Sequence, residues 1–336
     1  MALNHLLQSN LDTHRFIKYI FLIFASLILL FSFVGGAHAA NGAFGGGEGT
    51  QLNPFIIEDA ADLTAINSHL GSCFILGQNI TLTGEWTPIG SLANPFTGRL
   101  DGNGKTISNL TINSTSPYVG LFSCTSGASI TNLTLESAVV QSTASNSGAL
   151  AGQANNTIFD NITITGDIKG NSQVGGLAGF VVSNSTISNS FAAGNVSGNG
   201  TVGGFVGDVY SSTISNSSAV GNVSGAGSTG GFVGYAFEPT ISNSFFIGNV
   251  SGSELVGGFI GETYLLNISN SFAAGNVSGN ELVGGFAGKV SFYSTISNSF
   301  TIGNVSGNSS VGGFIGQMDR TEISNIMILN NFVNGT

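Results

Sequence analysis

The sequence predicts an all-β protein, a parallel β-solenoid (β-helix) of about eight 27–28-residue rungs behind a small mixed α/β N-terminal cap. Three observations lead there. Glycine accounts for 51 of 336 residues, twice the usual ~7%. Charged residues make up 7%, far below the usual ~25%, so helices laced with surface ion pairs cannot be built. The third and decisive observation is an internal repeat. The first glycine of a VGGF-like block falls at Gly175, Gly203, Gly230, Gly257, Gly284 and Gly312, in steps of 28, 27, 27, 27 and 28 residues. Weaker copies stand at Gly148 and Gly120.

The chain opens with a leader, residues 1–39. Arg15 and Lys18 precede Tyr19 to Val34, sixteen residues without a charge, and an A-x-A-like cleavage site follows between Ala39 and Ala40. That length fits a cleaved signal peptide or a retained N-terminal anchor. Both place the rest of the chain outside the cytoplasm, and cleavage would make Ala40 the first residue of the mature chain.

Residues 40–100 read as the cap over the open end of the solenoid, since a bare rung edge would pair with other chains. Within it, Glu58 to Leu70 carries Leu63, Ile66 and Leu70 at helical spacing, with Gly71 as a stop. Trp86 is expected in the core of this cap, and His69 at the end of its helix. Cys73 and Cys124 are either one disulfide or two buried free thiols.

Residues 101–336 form the solenoid. Besides VGGF, each period carries a TISN block and a GNVSG block, and each block has the length and residue types of a short strand. Three strands per rung are therefore expected, stacked ~4.8 Å apart on their copies. Core rows are Leu177, Phe205, Phe232, Phe259, Phe286, Phe314; Ile168, Val196, Val223, Val250, Val277, Val305; and Ile187, Ile214, Ile241, Ile268, Ile296, Ile323. A fourth row is Phe191, Phe245, Phe272, Phe300, interrupted by Ser218. The row Asn189, Asn216, Asn243, Asn270, Asn298, Asn325 reads as an amide ladder that satisfies turn groups.

At these residues the chain resembles a known family. VGGFVG followed by TISNS and GNVSG is similar to the GLUG repeat of bacterial surface proteins, found in filamentous-haemagglutinin-like adhesins and beside some immunoglobulin-A peptidases. NPFIIEDAADLTAI, GEWTPIG and PFTGRLDGNGKTISNL resemble the segment that precedes such repeats. The resemblance covers roughly residues 50–330. It implies a solenoid at the cell surface and no particular activity.

The chemistry of specific sites narrows the function. A zinc peptidase needs H-E-x-x-H, and beyond the leader the chain has one histidine, His69. No G-x-S-x-G elbow is present either. Glu254 and Glu281, each before Leu-Val-Gly-Gly-Phe, stack in adjacent rungs and are the best carboxylate pair for a polysaccharide lyase or hydrolase, although no Arg, Lys or His completes the site. Asp101-Gly-Asn-Gly104 reads as a turn, not a calcium loop. A threonine row, Thr186, Thr213, Thr240 and Thr295, would suit ice or a crystalline polysaccharide, but Asn267 and Glu322 break it.

The expected function is thus a non-catalytic, exported adhesion or structural module. Its partners are expected to be a surface glycan, a protein or other surface-layer components, with membrane contact only through an uncleaved leader. Net charge −10 argues against nucleic acid, and no cofactor or metal is expected. The most variable stretches, Asp208–Ser212, Tyr235–Pro239, Glu262–Leu266 and Lys289–Tyr293, project from one edge, and Tyr210, Tyr235, Tyr264 and Tyr293 form a candidate contact stripe.

Overall fold

The computed structural model describes residues 44–329 and 333–335. The leader lies outside the described residues, and so do Ala39 and Ala40, the two residues of the expected cleavage site. The fold is a parallel β-solenoid of about ten turns. A representative rung holds five short strands, Val202–Gly203, Val206–Tyr210, Thr213–Ser215, Ser218–Val220 and Val223–Ser224. Stacking sorts them into three sheets. Sheet I has six strands of the Val-Gly type, sheet II eight strands of the Val206–Tyr210 type, and sheet III collects the remaining three strands of every rung.

The expected three strands per rung become five because the VGGF block splits into two strands, Val202–Gly203 and Val206–Tyr210, and two corners divide the TISNSFxxGNVS segment into three. One corner is the asparagine of TISN: Asn189, Asn216, Asn243, Asn270, Asn298 and Asn325 all adopt φ of 48–51°, the left-handed region that asparagine tolerates best after glycine. The second corner is glycine. Gly221 sits at φ 143°, and a Cβ there would collide with the Gly194 carbonyl oxygen one rung below. In the earlier rungs the same corners recur, at Asn132, Asn161 and Gly166, yet the strands Ser129–Ser142 and Ile158–Lys169 continue across them and run through all three positions of sheet III.

Three of the expected rows line the interior. Phe205, Phe232, Phe259, Phe286 and Phe314 are buried and stack with ring centroids 4.7–4.9 Å apart. The Ile168–Val305 row is buried throughout, as is the isoleucine row up to Ile296. Aligned copies thus form continuous apolar columns that no single rung could bury.

The fourth row needs correction. Phe191, Phe245, Phe272 and Phe300 are half-exposed and face outward; the inward residues are their successors Ala192, Ala219, Phe246, Ala273 and Thr301. In a strand successive side chains alternate faces, so an Asn corner one residue away decides which of two neighbours points in. The outward rings still stack, Phe245–Phe272 at 4.9 Å and Phe272–Phe300 at 4.7 Å.

The expected cap, described from residue 44 to 100, is not a separate layer over the solenoid. Its strand Phe55–Ile57 pairs in parallel with Cys73–Leu76, which pairs with Arg99–Asp101, which pairs with Ser129–Thr131. These early turns belong to sheet III and lack the VGGF signature. The helix between them is shorter than its spacing suggests, Ala60–Ala65 followed by a 3-10 turn Ile66–Ser68. Asp59 caps it by accepting from the Asp62 amide. Leu63 and Ile66 are buried as expected. TISN at 106–109 also changes place: Thr106–Ser108 pairs with Thr134–Glu136, one strand position beyond the column that TIS occupies later. Arg99–Asp101 fills the TIS column in that rung.

Candidate functional site: the outer face of sheet II

In most of the columns described so far one residue type recurs from rung to rung, the inward column from Ala192 to Thr301 excepted. The outer face of sheet II does the opposite. Its register aligns Gln153, Phe180, Asp208, Tyr235, Glu262, Lys289 and Gln317 in one column. Two residues on, Tyr210, Phe237, Tyr264 and Ser291 align in a second. Between them Val209, Ala236, Thr263 and Val290 point into the core. The stretches expected as projecting loops are therefore mainly strands, with outward side chains on alternate positions.

The stripe of tyrosines is partly assembled. Tyr210 and Tyr235 approach to 5.5 Å between ring centroids, and Tyr235 and Tyr264 to 6.0 Å. Tyr293 does not join them. It is 73% exposed on a corner, and its neighbour Phe292 stacks on Tyr264 instead, at 5.8 Å. Phe180 meets Tyr210 edge-on at 5.3 Å and Phe237 lies 6.0 Å from it. Sequence reading missed Phe180 and Phe237 because it followed tyrosine identity rather than register.

Charged groups sit among these rings. Glu262 accepts from the Tyr264 hydroxyl at 2.8 Å and from Lys289 Nζ at 3.1 Å, and Lys289 stands 5.5 Å from the Tyr264 ring centroid. Burial lowers the Lys289 pKa, but its bonds to Glu262 and Tyr264 outweigh that and hold it above the usual lysine value. Two rungs earlier Asp208 is 5% exposed. Its Oδ2 accepts from Gln173 Nε2 at 2.9 Å, while Oδ1 has no partner. Burial pushes the Asp208 carboxyl up to about 6, with Gln173 and Thr201 pulling the other way. Burial, then the Asp208 charge, also raises Tyr210. Tyr235 is raised by burial and then by Tyr210, Glu262, Tyr264 and Asp208.

The other expected residues have plainer places. Cys73 and Cys124 are unbonded in this structure, Cys124 buried and Cys73 half-buried. Cys73 stacks beside Arg99 in sheet III and Cys124 beside Gln153 in sheet II, on different sheets of the solenoid. Glu254 and Glu281 are in register as expected, and both are exposed. The threonine row is aligned through Asn267 and Glu322. Asp101 accepts from the Asn103 amide in a tight turn. His69 packs edge-on against Phe44 and Phe55, and Trp86 donates to the Leu121 carbonyl from a half-buried position. Among the described residues no cluster of three or more His, Cys, Asp or Glu could hold a metal ion, and no helix is long and apolar enough to cross a membrane.

The asparagine ladder is present. Asn216 donates to Asn189 Oδ1 at 3.4 Å, Asn243 to Asn216 and Asn270 to Asn243 at 3.2 Å, and Asn325 to Asn298 at 3.0 Å. A second device, unread in the sequence, follows it. The buried Ser217 accepts the Ser190 amide at 3.2 Å and donates to its own Ser215 carbonyl at 2.8 Å; Ser244, Ser271 and Ser299 repeat this.

Comparison with known proteins places the repeat. The family model of the GLUG motif matches residues 225–251, so the resemblance is borne out there. A protein of Evansella cellulosilytica, provisionally named a Gly-rich membrane protein, is 37% identical over 162 residues, 44% of this chain and 18% of its own length. Halomucin of Haloquadratum walsbyi is 36% identical over 151 residues, 40% of this chain and 2% of its own length. The matched region is thus a small part of both relatives. A solved structure from Bacteroides ovatus, provisionally titled an immunoglobulin A1 protease, aligns over 87% of this chain and 82% of its own at 18% identity, with a TM-score of 0.45.

Proposed function

We propose that this chain is an exported, non-catalytic surface module that contacts its target through the outer face of sheet II. One observation carries the reading. Rung identity is kept in the phenylalanine, valine and isoleucine core columns of Phe205, Val196 and Ile187 and in the Asn and Ser ladders, where it serves stacking. It is abandoned in the column Phe180, Asp208, Tyr235, Glu262, Lys289. Stacking does not require that variety, and half-exposed aromatic rings beside fixed charges are the composition of a contact surface. Relatives named as a membrane protein and a halomucin support display at the cell surface. A rigid solenoid also presents its contacts at fixed spacing, so that weak ones add.

The test is binding of the full chain to a glycan array and to cells, repeated with Tyr210, Tyr235 and Tyr264 changed together to Ser. Loss of binding in that variant, with Tyr293→Ser unaffected, is the expected result. Undiminished binding in the triple variant removes the contact face. Turnover of a polysaccharide that disappears in Glu254→Gln/Glu281→Gln removes the non-catalytic reading.

A further inference from the structure

The outer face of sheet II holds the same pair of groups twice. In one rung Glu262 and Tyr264 stand two residues apart; two rungs earlier Asp208 and Tyr210 occupy the same two columns. Glu262 and Tyr264 share a cation from the chain itself, since Lys289 in the next rung gives its ammonium to the carboxylate at 3.1 Å and to the tyrosine hydroxyl at 3.3 Å. At the matching position next to Asp208 the chain places Tyr235 instead of a lysine. Asp208 therefore keeps a carboxylate oxygen without a partner at 5% exposure. Phe180 and Tyr235 are the neighbours of Asp208 in the column, Tyr210 stands two residues on, and the Phe180 and Tyr210 rings meet at 89°.

We infer that the cluster of Asp208, Phe180, Tyr210 and Tyr235 binds the side-chain ammonium of a lysine presented by a partner protein. The inference rests on the reading of this face as the contact surface. The chemistry is that of the Lys289 site, in which a carboxylate neutralises the cation and the face of one aromatic ring, Tyr264, attracts it. A buried unpartnered carboxylate costs free energy that an incoming donor recovers. Shape selects lysine. Its charge rides on a slender four-carbon stem that can pass between rings to a recessed oxygen, whereas the amine of an amino sugar is fixed directly to a bulky ring. A basic partner also complements a chain of net charge −10.

The experiment titrates the full chain with a tetralysine peptide by calorimetry, beside its ε-acetylated form and a glucosamine tetramer. Expected are saturable binding of the lysine peptide and none of the acetylated one. Asp208→Asn should weaken it by about tenfold or more, the scale of one charge-assisted hydrogen bond. Glu254→Gln removes the same charge from an exposed position and should leave affinity within about twofold, as expected for a screened surface charge. Lys289→Met vacates the Glu262–Tyr264 pair and should add a second site for blocked lysine (Nα-acetyl-lysine methylamide). Equal affinity in Asp208→Asn, or glucosamine bound as tightly as lysine, overturns the inference. Cell binding lost in the tyrosine variant but kept in Asp208→Asn would leave the contact face standing and overturn a partner lysine as its ligand. Loss of cell binding in neither the tyrosine nor the Asp208 variants would remove both.

Discussion

Asn189 donates its side-chain amide to Asp160 Oδ1 at 2.7 Å, and a ladder of asparagines starts from that carboxylate. Every amide in it points its N–H toward the lower-numbered rung, so the amide dipoles align. The aspartate sits at their donor end, where a negative charge is favoured as it is at a helix N-terminus. The same arrangement occurs twice more. Asn222 donates to Asn195, which donates to Asp167 Oδ1; Asn161 donates to Asn132, which donates to Asp101 Oδ1.

Removing that terminal acceptor should loosen the ladder locally. Asp160 also accepts from Ser188 Oγ at 2.6 Å. Asp160→Ala is expected to lose about 1–3 kcal/mol of stability and Asp160→Asn less, because an amide oxygen still accepts. Chemical denaturation followed by circular dichroism measures both, and equal stability of Asp160→Ala and the parent would refute an energetic role.

The serine relay gives a second test. Ser217→Ala leaves the buried Ser190 amide without its acceptor and should cost about 1–3 kcal/mol. Thr213→Ala, on the exposed face, should change stability by about 0.5 kcal/mol or less. Reversal of that order in thermal melts would contradict the relay.

Two adjacent phenylalanines separate interior from exterior. Phe246 is 1% exposed, and Phe246→Ala should cost about 3–5 kcal/mol. Phe245 faces outward against Phe272, and Phe245→Ala should cost about 1 kcal/mol, the scale of one aromatic pair. Denaturant midpoints of the two variants decide the matter.

Asp208 predicts a pH dependence with a definite sign. Its carboxyl is raised to about 6 in the folded chain from an unfolded value of about 3.9. Between those values the folded state binds more protons than the unfolded one, so this residue's contribution falls as pH rises and levels off above about 6. The full change is about 3 kcal/mol. Asp208→Asn should abolish that slope and be the more stable protein at pH 7, as read from stability measured at intervals from pH 4 to 7.

The repeat was legible because stacking demands identity: a column survives only if each rung supplies the same shape, and that leaves a period in the sequence. The buried phenylalanine, valine and isoleucine columns follow from it directly, as does the asparagine row, whose residue suits both a positive φ and an amide ladder. The Phe191–Phe300 row misled because periodicity marks a column without saying which way it faces. The early turns at 55–101 escaped notice because their parallel pairing does not need the VGGF letters. TISN at 106–109 shows the converse, the same letters in the neighbouring column.

The candidate site was half legible. Tyr210, Tyr235 and Tyr264 could be named from one edge of the repeat, but Tyr293 could not be excluded. Asp208 and Lys289 lay in the same variable stretches, but Phe180 and Gln173 could not be joined to them, since Gln173 and Asp208 are 35 residues apart.

By itself the sequence determined that the chain stacks, at what period, and which residues repeat to form the columns. The tertiary structure alone decided which side of each strand is inside and which unlike residues meet across rungs. The reason is physical. Period reports translation along the solenoid axis, a property of equivalent residues, whereas facing depends on corner dihedrals and contact on register between residues that are not equivalent. The partnered Glu262 and the unpartnered Asp208 differ through one such neighbour, Lys289 in one rung and Tyr235 in the other.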